Sequence, residues 1–233
     1  MATEKIALVT AGTRGMGAAI TRELAANGYR VALMATGNVD DLAREIGGLG
    51  VRGSVASDED LDRFVNATLD KYGRIDAVVN NTGHPPKGDL LGLDDASWLA
   101  GLDLIVLSVL RMMRKVTPIL QTQGGGAIVN ISSFAAAMPE QSMPVSSALR
   151  AALSSITRLY AERYAADRIR MNSILPGFID SWPETSENVA RIPAGRFGTT
   201  REIAKTVVFL LSDAAGYING QNIRVDGGIV KAL

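Results

Sequence analysis

The chain has 233 residues, of which 47% are hydrophobic, and it carries 24 basic and 24 acidic side chains. This length is sufficient for one α/β domain with a large core, and a formal net charge of zero argues against nucleic-acid or anionic-membrane partners, which usually require a basic excess. There is no cysteine, which excludes disulfides, thiol catalysis and zinc–thiolate sites. We predict no metal site.

Short apolar runs rich in β-branched residues alternate with longer helical patterns. The predicted strands are Ile6 to Thr10, Val31 to Ala35, Val51 to Val55, Ala77 to Asn80, Ala127 to Ser132, Arg170 to Leu175 and Ile223 to Val225. Most are continuously hydrophobic, as expected for parallel strands covered on both faces. The predicted helices are 15–27, 58–72, 97–121, 145–166 and 201–212, and Ser57-Asp58-Glu59-Asp60 is a capping-box pattern. This alternation predicts a single α/β domain over residues 1–233, a doubly wound parallel sheet of the Rossmann type.

The N-terminus leads directly into the first strand, and its sequence has no signal-peptide pattern. We also expect no apolar stretch of the roughly 18 residues that a membrane span needs. The sequence therefore predicts a cytoplasmic protein without a membrane partner.

A glycine-rich turn follows the first strand, with the sequence Thr10-Ala11-Gly12-Thr13-Arg14-Gly15-Met16-Gly17. Glycines in such a turn allow a tight bend, close approach of the backbone to a pyrophosphate, and close helix–strand contact. The helix that follows directs its free N–H groups and positive dipole end at the phosphates. The pattern favours dinucleotide binding over the alternative, an ordinary turn between strand and helix.

From these residues onward the chain resembles the short-chain dehydrogenase/reductase family over almost its whole length. The glycine turn is similar to the family motif Thr-Gly-x-x-x-Gly-x-Gly, with Ala11 in place of the first glycine. Further similar motifs follow in family order: Asn80-Asn81-Thr82-Gly83, Asn130-Ile131-Ser132-Ser133, the Pro-Gly strand ending at Pro176-Gly177, and the C-terminal pair Ile218–Gln221 and Val225–Gly228.

The second strand ends in Ala35-Thr36-Gly37-Asn38, with no acid before Asp40 to select NAD through a ribose hydroxyl. Arg14 offers a guanidinium for a 2′-phosphate, although a solvated surface position is the alternative. With Thr36 nearby, the resemblance implies NADP(H) as cofactor. The cofactor-binding residues implied by the motifs are Gly12, Thr13, Arg14, Gly15, Met16, Gly17, Thr36, Ser54, Val55, Asn81, Gly83, Arg150, Pro176, Gly177, Ile179 and Ser181.

The family uses a Tyr-x-x-x-Lys pair together with a serine and an asparagine. Ser133 matches the serine, and ungapped spacing from Ser133 to Pro176 puts Ser146 at the tyrosine position and Arg150 at the lysine position. The asparagine position falls on Asp103. Ser133 and Ser146 can bond a carbonyl oxygen and Arg150 can bond the nicotinamide ribose, but a serine is a far weaker acid than a phenol.

The proton for a reduction must therefore come from another group, for which His84 is the main candidate. It is the only histidine, and it follows Thr82-Gly83 where family substrates enter. The alternative is that His84-Pro85-Pro86 is a rigid loop tip. Asp103 is a second candidate acid or base, with a polar helix position facing solvent as its alternative. Glu140 either borders the substrate or is simply exposed.

Three functions stay open. The first is an NADP(H)-dependent oxidoreductase that acts on a small carbonyl, enone or imine with an atypical proton-transfer arrangement. The second is a catalytically silent NADP(H) sensor or scaffold, and the third is a non-redox enzyme on the same fold. By resemblance, the long helices at 97–121 and 145–166 and the last strand form a homotetramer or homodimer.

Overall fold

The computed structural model describes residues 4–231, so residues 1–3 and 232–233 of the predicted domain lie outside it. Seven parallel strands form one sheet in the order β3-β2-β1-β4-β5-β6-β7. The strands are β1 Ile6–Thr10, β2 Arg30–Ala35, β3 Leu49–Arg52, β4 Ala77–Asn80, β5 Gly126–Ile131, β6 Ile169–Pro176 and β7 Asn222–Val225. The strand order reverses between β1 and β4, which confirms the doubly wound α/β fold and places a crevice at the carboxyl ends of these strands.

Helices cover both faces of the sheet. They are α1 Gly15–Ala26, α2 Asp40–Glu45, α3 Asp58–Tyr72, α4 Asp95–Leu102, α5 Ser108–Gln123, α6 Pro144–Tyr164, α7 Ser186–Ala190 and α8 Thr200–Leu211. Alternate residues of each strand point to opposite faces, so that Leu8 packs with α3, α5 and α6, whereas Val9 packs with α1 and α8. The apolar runs of the inner strands are thus buried on both sides, whereas β3 and β7 at the edges of the sheet are partly exposed.

Two predicted boundaries were wrong. The third strand ends at Arg52 rather than Val55, because the Asp60 carboxylate accepts a hydrogen bond from the Ser54 N–H at 2.8 Å and turns the chain into α3. The same carboxylate bonds Arg63, so only one half of the predicted capping box forms, the bond from Asp60 N–H to Ser57 Oγ.

The predicted helix 97–121 is α4 and α5 joined by a π-helix, Asp103–Leu107. The short helices α2 and α7 were not predicted.

The helical run Asp95–Gln123 has 29 residues and is long and apolar enough to cross a membrane, contrary to the sequence expectation. A core helix of a water-soluble protein passes the same test of length and composition. Here Ile105, Val109, Met112 and Val116 of this run are buried in the cluster that packs against one face of the sheet. Packing within the domain therefore accounts for the apolar side chains on one face of the run, and 39% of its most apolar 18-residue window is buried.

A chain of buried amides and hydroxyls joins β4, β5, α6 and β6 below the crevice. The Asn80 amide donates to Asn130 Oδ1 at 2.8 Å, and the Asn130 amide donates to Thr157 Oγ1 at 3.0 Å. Thr157 Oγ1 also lies 2.8 Å from Ser173 Oγ. Because buried polar groups need partners, this network fixes α6 against the sheet.

We expect Thr157→Val to lower the free energy of unfolding by about 1–3 kcal/mol, because it leaves the Asn130 amide without its acceptor. The control is Thr122→Val, whose exposed hydroxyl bonds only Pro118 O within its own helix and should cost under about 0.5 kcal/mol. Urea unfolding of both variants measures the difference. Equal losses in the two variants would contradict a role for the network.

Candidate active site

The glycine turn lies between β1 and α1 at the carboxyl edge of the sheet. No side chain caps the N-terminus of α1, and no acid occupies its first turn. A Cβ on Gly17 would lie 2.1 Å from the Ala11 carbonyl oxygen, and a Cβ on Gly12 would lie 3.0 Å from Leu33 Cβ. The predicted turn, which also includes half-buried Thr13 and Met16, is therefore built tightly around free backbone N–H groups.

Ala11 adopts a left-handed backbone conformation with φ of 46°, at the position where the family motif has glycine. Such a conformation costs a non-glycine residue about 1–2 kcal/mol. The turn is held by Asn81. Its side-chain amide donates to the Ala11 carbonyl at 3.1 Å, and its backbone N–H donates to Thr10 Oγ1 at 2.9 Å. Asn81 thus joins the end of β4 to the turn. Gly83, two residues later, is exposed and has open space where a Cβ would be.

Two exposed arginines approach the end of β2. The Arg14 guanidinium lies 3.9 Å from the Cβ position that a side chain at Gly37 would occupy. Arg52, the last residue of β3, donates from Nε to the Thr36 carbonyl at 3.0 Å. Within residues 4–231, neither guanidinium forms a salt bridge with a carboxylate. Sequence reasoning identified Arg14 and Thr36 but missed Arg52.

The predicted adenine-side residues follow β3. Ser54 Oγ accepts from the Ala56 N–H at 3.3 Å, so this hydroxyl already stabilises the turn. Val55 is buried and lines a small internal cavity together with Thr10 and Asn81, behind the glycine turn. Contact of Ser54 and Val55 with an adenine remains a prediction.

The end of β6 forms the opposite wall of the crevice. Gly177 N–H donates to Val225 O at 3.0 Å, and a Cβ on Gly177 would lie 2.8 Å from Asp226 Cα. After buried Ile179, Ser181 lies so close to the glycine turn that its Cβ is 3.2 Å from a Cβ placed on Gly15. The predicted residues Pro176 to Ser181 therefore do meet the predicted glycine turn.

A cleft of about 270 Å³ opens between these elements. The lining residues are Met16, Asn81, Thr82, His84, Lys87, Ile131, Ser132, Ser133, Phe134, Glu140, Ser142, Met143, Ser146, Arg150, Pro176, Gly177, Phe178, Ile179, Ser181, Trp182, Pro183, Asn188, Arg191 and Phe197. The structure thus brings His84, Ser133, Ser146 and Arg150 into one cleft with the predicted nicotinamide-side residues.

Ser146 and Arg150 lie one turn apart on α6 and face the cleft. Ser146 is 6% exposed and Arg150 is 7% exposed. The Arg150 guanidinium donates to Ile131 O at 2.7 Å and to Ser146 Oγ at 3.2 Å, which are both neutral acceptors. Burial lowers the pKa of Arg150 to about 10. Ser133, at the end of β5, accepts from the Ala135 N–H at 3.2 Å.

His84 lies at the cleft wall in contact with Trp182, which belongs to the segment that follows β6. Its ring meets the Trp182 ring edge-on, with 4.5 Å between centroids, and the Lys87 ammonium lies 3.9 Å from the Trp182 centroid. The pKa of His84 is held below its usual 6.5 mainly by partial burial, and to a smaller extent by the positive charges of Lys87 and Arg150. Sequence reasoning found His84 but gave no sign of its contact with Trp182.

The structure does not bring Asp103 to the cleft. Its carboxylate is 42% exposed and accepts from Arg111 at 2.8 Å, on the outer side of the helix. Asp103 begins the π-helix, and two residues later Ile105 is the buried side chain that lines the internal cavity with Arg150. An aliphatic side chain cannot serve as an acid or base, so this helix contributes no titratable group next to Arg150.

None of the five tyrosines, all of which are within the described part of the chain, lines the cleft. Tyr160 is buried against α5, where its hydroxyl lies 2.7 Å from Thr117 Oγ1 and burial raises its pKa to about 12. Tyr164 packs against Tyr160, and Tyr72 packs in the same core cluster. The phenols are therefore remote from Ser146.

The cleft also contains charged residues that sequence reasoning missed or left undecided. Glu140, whose side chain is mostly buried, forms a close ion pair with Arg191. The Arg191 guanidinium also lies 5.3 Å from the Phe178 ring centroid. Lys87 and Arg191 have no sequence motif around them. Their roles depend on contacts between segments far apart in the chain.

The residues present fit a dinucleotide. The uncapped α1 terminus, together with a turn in which a Cβ on Gly17 would collide with the backbone, forms a cradle for a pyrophosphate. Without carboxylate partners, Arg14 and Arg52 suit a further phosphate at the end of β2. The nicotinamide end of such a ligand would lie in the cleft between Asn81 and Gly177.

This crevice lies in a Rossmann-type α/β fold, and the chain belongs to the short-chain dehydrogenase/reductase family. A family model described as enoyl-(acyl carrier protein) reductase matches residues 10–230.

Among its relatives, a 3-oxoacyl-(acyl-carrier-protein) reductase of Synechocystis sp. is 35% identical in an alignment that covers 98% of each chain. The 3-oxoacyl-(acyl-carrier-protein) reductases of Staphylococcus epidermidis and Thermotoga maritima are each 32% identical, in alignments that cover 97% of this chain and 98% of theirs. The similarity thus extends over nearly the whole chain.

Proposed function

We propose that the protein is an NADP(H)-dependent oxidoreductase of the short-chain dehydrogenase/reductase type, acting on a small carbonyl, enone or imine. The observation that carries this proposal is the continuity of the phosphate cradle at Gly17 with a cleft that contains His84, Ser133, Ser146 and Arg150. The relatives support it, since they are named as reductases.

NADP(H) is favoured over NAD(H) by the charges at the end of β2. Arg14 and Arg52 offer guanidinium donors there, and Thr36, with its carbonyl bonded to Arg52, lies at the same edge. A phosphate ester accepts charge-assisted hydrogen bonds from both arginines, whereas a plain ribose hydroxyl gains no charge pairing.

We expect Arg52→Ala to weaken NADPH binding about tenfold to hundredfold and to leave NADH binding unchanged, because a hydrogen bond to a charged group is worth about 1.5–3 kcal/mol. The matched control is Arg158→Ala, an exposed arginine on α6 outside the crevice. Calorimetric titration with both nucleotides measures the effect. An equal loss for NADH and NADPH would contradict a phosphate contact.

The proton-transfer arrangement is proposed to be atypical, because the ungapped spacing from Ser133 to Pro176 puts Ser146 and Arg150 at the positions of the family's tyrosine and lysine. When bound, NADPH supplies the hydride for the carbonyl carbon. Ser133 and Ser146 hydrogen-bond the carbonyl oxygen, and a ring N–H of protonated His84 transfers its proton to that oxygen. Arg150 keeps its charge near neutral pH, because even its lowered pKa is about 10, and it bonds the nicotinamide ribose.

The test is turnover of NADPH by the purified protein with ketones, enones and imines, followed by absorbance and product analysis. Turnover of any of these classes with matching product supports the oxidoreductase. NADPH binding without turnover across the panel favours the silent sensor or scaffold, which the positions of all five tyrosines outside the cleft support. Product formed without net oxidation of NADPH would indicate a non-redox enzyme.

We further propose that the protein is a cytoplasmic homo-oligomer, a tetramer or dimer. One face of α5 and α6 presents partly buried Leu110 and Ile156 together with Leu159 beside a shallow groove, and Leu159 is 68% exposed. An exposed apolar patch of this kind is typical of an interface. Sedimentation should give more than one copy per particle, and a monomer at micromolar concentration would contradict the oligomer.

A further inference from the structure

The charges that line the cleft do not balance. Its cationic side chains are Lys87, Arg150 and Arg191, and its acidic side chain is Glu140, which is paired with Arg191. Lys87 and Arg150 are thus left without a carboxylate partner among residues 4–231. Because Arg150 is buried and a buried charge is normally paired, the cleft favours a ligand that carries negative charge.

Arg150 contributes the buried part of this positive charge. Its guanidinium is 7% exposed and bonds only the Ile131 carbonyl and the Ser146 hydroxyl, neither of which carries a charge. A ribose hydroxyl at the same place would be neutral as well. A negatively charged group brought into the cleft by a ligand would therefore stabilise this guanidinium.

Lys87 contributes the accessible part and is held in place. Its ammonium lies 3.9 Å from the Trp182 centroid, and the same indole meets the edge of His84. A cation–π contact orients an ammonium group without neutralising it, so that its N–H donors remain available. Lys87 and His84 both contact the Trp182 indole. When one end of a short substrate bonds Lys87, its neighbouring atoms therefore lie close to His84.

We propose that the cleft takes a carbonyl substrate that carries a carboxylate, an oxo acid, and that Lys87 receives the carboxylate while the carbonyl lies at His84. This inference depends on the proposed function for the identity of the reacting group. The recognition of the carboxylate depends only on the charges of the cleft. Lys87 is accordingly a specificity-determining residue rather than a catalytic one.

The test uses the full-length protein with NADPH and pairs of short oxo acids and their methyl esters. We expect kcat/KM to favour each acid over its ester by at least about tenfold, which is the effect of roughly 1.4 kcal/mol. Lys87→Met should raise KM for the acid about tenfold or more and leave KM for the ester unchanged. Lys87→Arg should restore most of the preference.

The matched control is Lys71→Met, because Lys71 also lies over an aromatic ring, that of Tyr72, but on α3 away from the cleft. Equal kinetics for acid and ester, or loss of both in Lys87→Met, would overturn the inference. Binding in the presence of NADPH, measured by calorimetry, separates it from the proposed function. If the acid binds and the ester does not, but neither is turned over, the inference is supported and the proposed function is not. If acid and ester bind equally, the inference is overturned even if the protein reduces both compounds.

Discussion

Gly17→Ala is expected to weaken NADPH binding by more than about hundredfold while the protein remains folded. The added Cβ would lie 2.1 Å from the Ala11 carbonyl oxygen and 2.8 Å from Asn81 Nδ2, so the turn must move away from α1. That shift withdraws backbone N–H groups from the phosphates, and losing two hydrogen bonds to a charged group costs about 3 kcal/mol or more. Calorimetric titration with NADPH measures the loss.

The control for this variant is Gly92→Ala. An added Cβ at Gly92 has only ordinary contacts, the nearest being Asp89 Cβ at 3.5 Å, and the residue lies in an exposed loop. This variant should bind NADPH like the parent protein. Circular dichroism and thermal melting establish that Gly17→Ala still folds. Undiminished affinity in a folded Gly17→Ala protein would show that the turn does not hold the cofactor.

The fold was predictable because its signals are local. Continuous apolar runs such as Ala77–Asn80 mark doubly covered parallel strands, and they gave all seven strands with only small shifts at most of their ends. The end of the third strand was wrong, because the bond from Ser54 N–H to Asp60 joins a strand end to a helix, and no local pattern indicates it.

The candidate site was predictable only where a motif carries it. Ser181, shortly after the Pro176-Gly177 strand end, lies beside Gly15 of the glycine turn, and cofactor binding by these residues stays a prediction. Arg52 was missed because its place beside Thr36 depends on the register of β3 against β2, in which Arg52 pairs with Ala35. Lys87 was missed because Trp182, its partner, is far away in the sequence.

Asp103 illustrates a different failure. The resemblance placed the family's asparagine position at Asp103, but a π-helix begins there and a different side chain points inward. Ile105 takes the inward position, and Asp103 pairs with Arg111. The apolar sequence from Leu104 to Leu107 is compatible with α-helix and π-helix alike, so no local pattern indicates the change.

His84→Ala is expected to lower kcat for carbonyl reduction by about a hundredfold to ten-thousandfold, the usual contribution of a positioned acid. The acid form is the imidazolium, and its pKa is held below 6.5 by partial burial and by the charges of Lys87 and Arg150. The protonated fraction therefore falls as the pH rises through that pKa. In the parent protein, kcat should be highest at acid pH and decline toward neutral pH.

A kcat profile between about pH 5 and 8, the range in which histidines change charge, measures this slope. It should disappear in His84→Ala and persist in Ser146→Ala, because a serine hydroxyl does not titrate there. Lys87→Met removes one of the charges that disfavour the imidazolium, so its profile should move to higher pH when a neutral ester is the substrate. An unchanged slope in His84→Ala would show that another group supplies the proton. An unmoved profile in Lys87→Met would show that the Lys87 charge does not affect the pKa of His84, although both side chains contact Trp182.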